Sequence, residues 1–255
     1  MTSCYRRRPK HAPPFRDGGG RFCRNARRSG AICRRRAGIV RTAPRHGREG
    51  SRLLPASSRR RLDAFEARLV DLATVETEAL LALTIDAGWP HRAADWSFLL
   101  AHGDGLAAVD DIGRTLGCVW WTLYDPDAAR LGMMVTSPRL QALGAGRWLA
   151  QEAMARLDGR VVGITAPGAT RRLFRALGFG AERRLEKWEG VAQPLPDAAA
   201  PAHSIRALRP DDLPSVLALD RAALGCGRGD VLAALAVASD GVALERDGAV
   251  RGFAL

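Results

Sequence analysis

This sequence of 255 residues contains no long apolar segment. No run approaches the 18 uncharged apolar residues that a membrane-spanning helix needs, so we expect no such helix. The amino terminus also lacks the apolar stretch of a secretory signal peptide. Since 47% of the residues are hydrophobic, the chain can still bury a core. Length and composition together predict one or two folded domains.

Lysine is scarce: Lys10 and Lys187 are the only two, and arginine supplies nearly all the positive charge. That charge is unevenly distributed, because residues 1–61 have a net charge of +17 and the remaining residues a net charge of −5. The basic character therefore belongs to an amino-terminal tail. A general role in nucleic-acid binding does not follow from the net charge of the whole chain.

The cysteines form no recognisable framework. There are five of them, three lie within residues 1–61, and their spacings match neither a zinc site nor a disulfide pattern. We therefore predict no metal site and a reducing, cytoplasmic location.

Residues 1–61 combine arginine clusters with glycine and show no helical or strand periodicity, so we predict a disordered tail. Three interpretations of this tail stay open. It is a nucleic-acid-binding arm, an organelle-targeting peptide without the usual amphipathic helix, or the translation of GC-rich upstream DNA. In the last case the start codon was assigned too early, and the true start lies near Leu69 or Val70.

Composition divides the rest of the chain into three parts. All six tryptophans lie between residues 89 and 188, which marks residues 62–190 as the main folded domain. Residues 191–203 predict a linker, because eight of these thirteen are Ala or Pro. Residues 204–255 form a third part.

This third part repeats the first domain in sequence. The segment LLAL at 80–83 matches VLAL at 216–219, and GLAAVDD at 105–111 matches GVALERD at 241–247, both at the same offset. Each copy has the pattern strand, helix, helix, strand, turn, strand. The second copy reaches Leu255 after its third strand, so we predict the amino-terminal half of a second domain.

A glycine-containing turn follows a buried strand in the first domain. The segment PRLQALGAG, residues 138–146, lies between a predicted strand at 129–136 and an amphipathic helix at 146–157. Gly144 and Gly146 allow the backbone to approach an anion, and a helix amino terminus presents free amides. A pyrophosphate suits this geometry, although glycines at a helix start also serve simply as turns.

The order of these elements resembles the GNAT superfamily of acyl-CoA N-acyltransferases. The resemblance rests on a strand, then Gln141-x-x-Gly144-x-Gly146, then a helix, a strand and a helix that ends in LFRALGF. It covers residues 67–189 in full and residues 204–255 as an amino-terminal half-copy, and the stretch GWPHRAADW at 88–96 also looks like a tandem-GNAT bacterial subgroup. It implies an α/β (α+β) fold, with a mixed, mostly antiparallel sheet flanked by helices.

The resemblance also implies transfer of an acetyl group from acetyl-CoA, as co-substrate, to an amine. In the family the turn binds the coenzyme pyrophosphate through backbone amides, and the preceding strand contacts the pantetheine and the acetyl carbonyl. The implied strand residues are Met133, Met134 and Val135. The implied turn residues are Gln141, Ala142, Leu143, Gly144, Ala145, Gly146 and Arg147.

Two positions depart from the family pattern. The tyrosine that commonly protonates the leaving thiolate is Phe174 here, and the asparagine that supports the pantetheine is Pro167. The candidate catalytic residues are therefore His91 and Asp95, in the predicted inter-helix region, and Tyr124, which offers a phenol at a strand end. Each also has a structural interpretation, as a helix cap or a core anchor.

Two alternatives to an acetyltransferase remain. Phe174 and the incomplete second copy favour a non-catalytic coenzyme A-binding or regulatory module. The tail favours nucleic-acid binding, with a steep salt dependence. For the acetyltransferase we expect a small-molecule or peptide amine as acceptor, no membrane partner and no nucleic acid. The oligomeric state is open.

Overall fold

The structure is a computed structural model that describes residues 2–7, 59–62, 65–125, 127–141, 143–186, 191 and 204–255. The strands are β1 (Thr2–Arg7), β2 (Arg59–Leu62), β3 (Phe65–Asp71), β4 (Asp104–Asp110), β5 (Thr115–Tyr124), β6 (Ala128–Thr136), β7 (Val161–Pro167), β8 (Gly180–Leu185), β9 (Ser204–Ala207), β10 (Val242–Arg246) and β11 (Ala249–Ala254). The α-helices are α1 (Thr77–Asp86), α2 (Ala93–Ala101), α3 (Ala145–Arg156), α4 (Arg171–Ala176), α5 (Leu213–Leu224) and α6 (Gly229–Ala238). No described helix is long and apolar enough to cross a membrane.

Strand β5 forms the centre of the larger sheet. Its residues from Leu116 to Thr122 are all buried, as expected for a strand that is covered on both faces. Cys118 and Trp120 pack against α1 and α2, whereas Val119 and Trp121 pack against α3. This alternation follows from the two-residue period of a strand.

The larger sheet has the strand order β2-β3-β4-β5-β6-β7-β1-β8. All its neighbouring pairs are antiparallel except β6 and β7. That parallel pair is short, because only Ala128–Leu131 aligns with Val161–Ile164. Residues 132–136 of β6 therefore have no strand partner on the β7 side among the described residues. The sheet opens at this point.

The described parts of the amino-terminal tail are strands, which differs from the disorder we predicted for residues 1–61. Strand β1 lies between β7 and β8 and pairs with both, and β2 pairs with β3. Strand pairing uses backbone hydrogen bonds, which need no apolar periodicity. The rest of the tail lies outside the described residues, as does nearly all of the predicted linker at 191–203.

Residues 204–255 repeat the element order seen between β3 and β5. Each copy has a strand, a short 3-10 helix, two α-helices and two further strands, and β9, β10 and β11 form an antiparallel sheet of their own. This unit exposes large apolar side chains, among them Ile205 and Val237, which is 90% exposed.

A loop of the second unit contacts the β5–β6 turn. The Gly227 amide donates to Asp125 Oδ2 at 2.7 Å, and Arg221 lies 3.2 Å from the same carboxylate. A methyl group on Gly227 would come within 2.7 Å of Asp125 Oδ1, so the close approach requires glycine there. Asp125 is therefore the central residue of the contact.

Replacing Asp125 by alanine should loosen the second unit without unfolding the first. The substitution removes both the amide contact and the ion pair, and limited proteolysis should then cleave between the two units several-fold faster. Asp127→Ala is the matched control, because Asp127 is an exposed aspartate in the same turn. Equal cleavage rates for the two variants would show that the contact does not hold the units together.

Candidate functional site

The glycine turn, residues 138–146, brings the chain from β6 into α3. A short 3-10 helix spans Pro138–Leu140, and Gly144 is the residue before α3, with φ +89°. This left-handed conformation strains any residue that carries a Cβ, so glycine is required at this position. Nothing lies within 4 Å of the place where a Cβ of Gly144 would be. The turn therefore leaves open space in front of the helix.

The amino terminus of α3 has no side-chain cap. No described side chain is recorded as accepting a hydrogen bond there, and the first turn contains no acidic residue. In contrast, α2 begins with a reciprocal capping arrangement between Arg92 and Asp95. The first amides of α3, from Ala145 to Arg147, lack intrahelical acceptors, and they form the positive end of the helix dipole. They are available to an anion.

A β-bulge lies in β6 where the sheet opens. Cys118 pairs with Val135 and Trp120 pairs with Gly132, so Val119 alone faces both Met133 and Met134. Met133 has φ +44°, which is uncommon for a residue other than glycine. The Cys118 thiol donates to the Met133 carbonyl at 3.5 Å. Bulges of this kind redirect the backbone next to functional sites.

Residues of the bulge and of the glycine turn lie close to each other and to α4. A methyl group on Gly146 would lie 3.9 Å from both Met134 Cε and Leu173 Cδ2. Met134 and Leu173 pack against the cluster on the α3 face, whereas Met133 packs against the cluster on the α1 and α2 face. The opening of the sheet therefore leads from the amino terminus of α3 to the bulge.

Four exposed arginines lie on α3 and α4, the two helices next to this opening. Arg147 lies in the first turn of α3, and α4 carries Arg171, Arg172 and Arg175. All four side chains are exposed, and none makes an ion pair with a residue that the structure describes. This excess of positive charge favours an anionic ligand.

Asp95 is occupied by the start of α2. Its carboxylate accepts hydrogen bonds at 2.8 Å from both the backbone amide and the guanidinium of Arg92. These contacts lower the pKa of Asp95 to about 2. A carboxylate that holds its proton so weakly is a poor general base at neutral pH.

His91 has no such structural partner. Its Nδ1 atom is buried and has no hydrogen-bond partner in the part of the chain that the structure describes. The ring lies 5.6 Å from that of Trp89, and Trp89 packs against the same cluster as Met133. His91 therefore lies on the α1 and α2 side of the sheet, and its buried Nδ1 atom has no described hydrogen-bond partner.

The structure places Tyr124 away from this region. Tyr124 is the last residue of β5, six residues beyond Cys118, so about 20 Å of extended strand separate it from the bulge. It interacts with Arg228 of the second unit instead. Phe174 is 1% exposed and packs edge-on against Phe179, so no phenol lies at that position of α4.

The structure thus brings together the predicted residues of the glycine turn and of β6. His91 lies on the side of the sheet opposite α3. Ala142 lies outside the described residues, while Gln141 and Leu143 are exposed on the turn. Sequence reasoning missed Leu173 and the role of Cys118 in the bulge. The apolar spacing of α4 could have indicated Leu173, but no sequence signal marks the bulge. The described residues contain no cluster of three potential metal ligands.

Comparisons with known proteins bear on the fold. No protein-family model matches the sequence, and no curated protein matches it. Among solved structures, a proposed acetyltransferase from Pyrococcus horikoshii is 17% identical and has a TM-score of 0.52, over 72% of this chain and 66% of that one.

Two further structures belong to the GNAT family by name. A proposed acetyltransferase from Novosphingobium aromaticivorans is 21% identical, with a TM-score of 0.38 over 45% of this chain and 52% of that one. This chain thus spans about half of its length. An acetyltransferase from Streptococcus pneumoniae is 17% identical, with a TM-score of 0.41 over 49% of this chain and 98% of that one. The chain shares the fold of the Pyrococcus horikoshii structure, an α/β fold whose mixed, mostly antiparallel sheet is flanked by helices, as the element order predicted.

Proposed function

We propose that this chain transfers an acetyl group from acetyl-CoA to an amine of a small molecule or peptide. The observation that carries the proposal is the alignment of an uncapped helix terminus with a bulged, half-open strand. The first feature suits a pyrophosphate. The second offers main-chain groups to an extended thioester substrate.

The glycine turn would hold the coenzyme through its backbone. The amides from Gln141 to Arg147 would donate to the pyrophosphate, and Gly144 would let the phosphates approach closely. Arg147 and Arg171, with their neighbours on α4, would balance the charge of the remaining phosphates. These contacts need few specific side chains, which agrees with the exposure of Gln141 and Leu143.

The bulge would position the reacting carbonyl. Acetyl-CoA, when bound, supplies a thioester carbon that an amine can attack. Main-chain groups around Met133, Met134 and Val135 that face away from β5 would stabilise the negative charge that develops on the carbonyl oxygen. The positive φ of Met133 is the type of backbone strain that occurs at such positions.

His91 would take the proton from the acceptor amine. It is the one candidate base whose nitrogen is not committed to a contact with the described residues, and it lies on the side of the sheet opposite α3. Asp95 would have a structural role only, since its bonds to Arg92 fix the start of α2.

Replacing His91 by glutamine should lower kcat about 10²-fold, because a positioned base is lost while the size of the side chain is kept. The affinity for acetyl-CoA should not change. Asp95→Asn should instead lower the Tm by a few degrees and leave kcat within about twofold. Steady-state kinetics and thermal unfolding of both variants check this, and an Asp95→Asn loss as large as that of His91→Gln would contradict it.

The proposal is tested by incubating the full chain with acetyl-CoA and a panel of primary amines, with free thiol and acetylated product both measured. Transfer to at least one amine, lost in His91→Gln, supports it. Saturable coenzyme binding with no transfer to any amine would favour a second function.

That second function is a non-catalytic coenzyme A-binding module. The observation in its favour is Phe174, which is buried against Phe179 and has no proton to give to a leaving thiolate. Phe174→Tyr distinguishes the two, since it should raise kcat in an enzyme that is limited by departure of the thiolate. In a binding module it should restore nothing.

A further inference from the structure

A cleft of about 440 Å³, distinct from the opening between β6 and β7, lies next to the start of the glycine turn. It is bordered by the end of α1, the start of β5 and the segment Ser137–Leu140. The volume is in the range of small-molecule sites. None of its lining residues belongs to the opening between β6 and β7, so the proposed acetyl transfer leaves this cleft unexplained.

Opposite charges face the cleft without contacting each other. Asp86 is the last residue of α1, and Arg139 lies in the 3-10 helix of the turn. Both are exposed, and neither makes an ion pair with a described residue. A third charged group, Arg114, is already bound to the buried carboxylate of Asp110 at 2.6 Å.

The two charges have complementary preferences. The carboxyl terminus of a helix carries partial negative charge, so α1 and Asp86 together favour a cationic group such as an ammonium. The guanidinium of Arg139 favours a carboxylate, which it can bind through two parallel hydrogen bonds. Leu116 and Leu140 also border the cleft, but only 7% and 2% of their surfaces are exposed, so they offer a ligand little apolar contact.

We propose that this cleft binds a free α-amino acid. The carboxylate of the ligand contacts Arg139, and its ammonium contacts Asp86. The site is separate from the coenzyme opening. It shares the segment 138–140 with the glycine turn, so a bound amino acid contacts the residues immediately before Gln141.

The test uses three ligands that differ by one group each. L-leucine is titrated calorimetrically into the full chain, with L-leucinamide, which lacks the carboxylate, and 4-methylpentanoate, which lacks the ammonium. Both analogues should bind about tenfold more weakly than leucine. Equal binding of all three, or no binding of leucine, would overturn the proposal.

Two variants assign the contacts to residues. Arg139→Gln should remove the preference for leucine over leucinamide, and Asp86→Asn should remove the preference for leucine over 4-methylpentanoate. Neither side chain supports the described fold, so circular dichroism spectra should not change. Unaltered preferences in both variants, or displacement of leucine by saturating acetyl-CoA in direct competition, would place the ligand elsewhere and contradict the assignment.

Discussion

Replacing Gly144 by glutamate should weaken acetyl-CoA binding about 10³-fold. The side chain would extend into the open space before α3, where the pyrophosphate is proposed to lie. A carboxylate next to the phosphates costs several kcal/mol of binding free energy, and each 1.4 kcal/mol is a tenfold change in Kd. Calorimetric titration of the full chain measures the effect directly.

The matched control is Gly144→Gln, which has the same size and the same backbone strain but no charge. The left-handed conformation of residue 144, with φ +89°, costs either variant about 1–2 kcal/mol of folding free energy. The difference between their affinities therefore isolates the charge, and it should shrink at high salt. If the two variants bind acetyl-CoA equally well, the glycine turn is not the pyrophosphate site.

Replacing Trp96 by alanine should lower the free energy of unfolding by about 3–5 kcal/mol. Trp96 is fully buried between α1, α2 and the central sheet, and its indole N–H donates to the equally buried Thr84 hydroxyl at 3.4 Å. Its removal leaves a large cavity and an unpaired acceptor. The Tm should fall by roughly 10 °C in a thermal unfolding experiment.

Trp96→Phe separates the two contributions. Phenylalanine fills most of the cavity but offers no donor to Thr84, so it should cost only about 1–2 kcal/mol. Because α2 follows the loop that carries His91, the alanine variant should also lose activity at temperatures below its Tm. A Tm for Trp96→Ala within a degree of the parent would show that this side of the sheet is not packed as described.

The elements that define the fold were readable from the sequence because their patterns are local. The run LGCVWWTLY is apolar at nearly every position, which is typical of a central strand, and β5 spans it in full. The glycine turn was also found, because Gly144 and Gly146 stand between a strand pattern and a helix pattern. The start of the first helix is harder to locate from the sequence: Asp71 caps a 3-10 helix first, and α1 begins only at Thr77.

The chemistry of the site depends on the pairing of β5 with β6, which no local sequence pattern indicates. The bulge at Met133 exists only in register with β5, and a sequence gives no sign that Val119 faces two residues. Tyr124 was a candidate because it ends a strand. Since β5 runs antiparallel to β6, that end lies next to Ala128, far from the glycine turn. Asp95 was recognised as a capping residue, but its partner Arg92 is not a usual one for a helix start.

The short parallel pairing of β6 with β7 also means that the two ends of β6 have different numbers of backbone hydrogen bonds. At one end, Ala128–Leu131 is hydrogen-bonded on both sides, and the loop of the second unit is fastened to Asp125 nearby. At the other end, residues 132–136 pair with β5 but with no described strand on the β7 side. Because fewer backbone hydrogen bonds hold the bulge end of β6, we expect its amides to exchange with solvent faster than those of Ala128–Leu131.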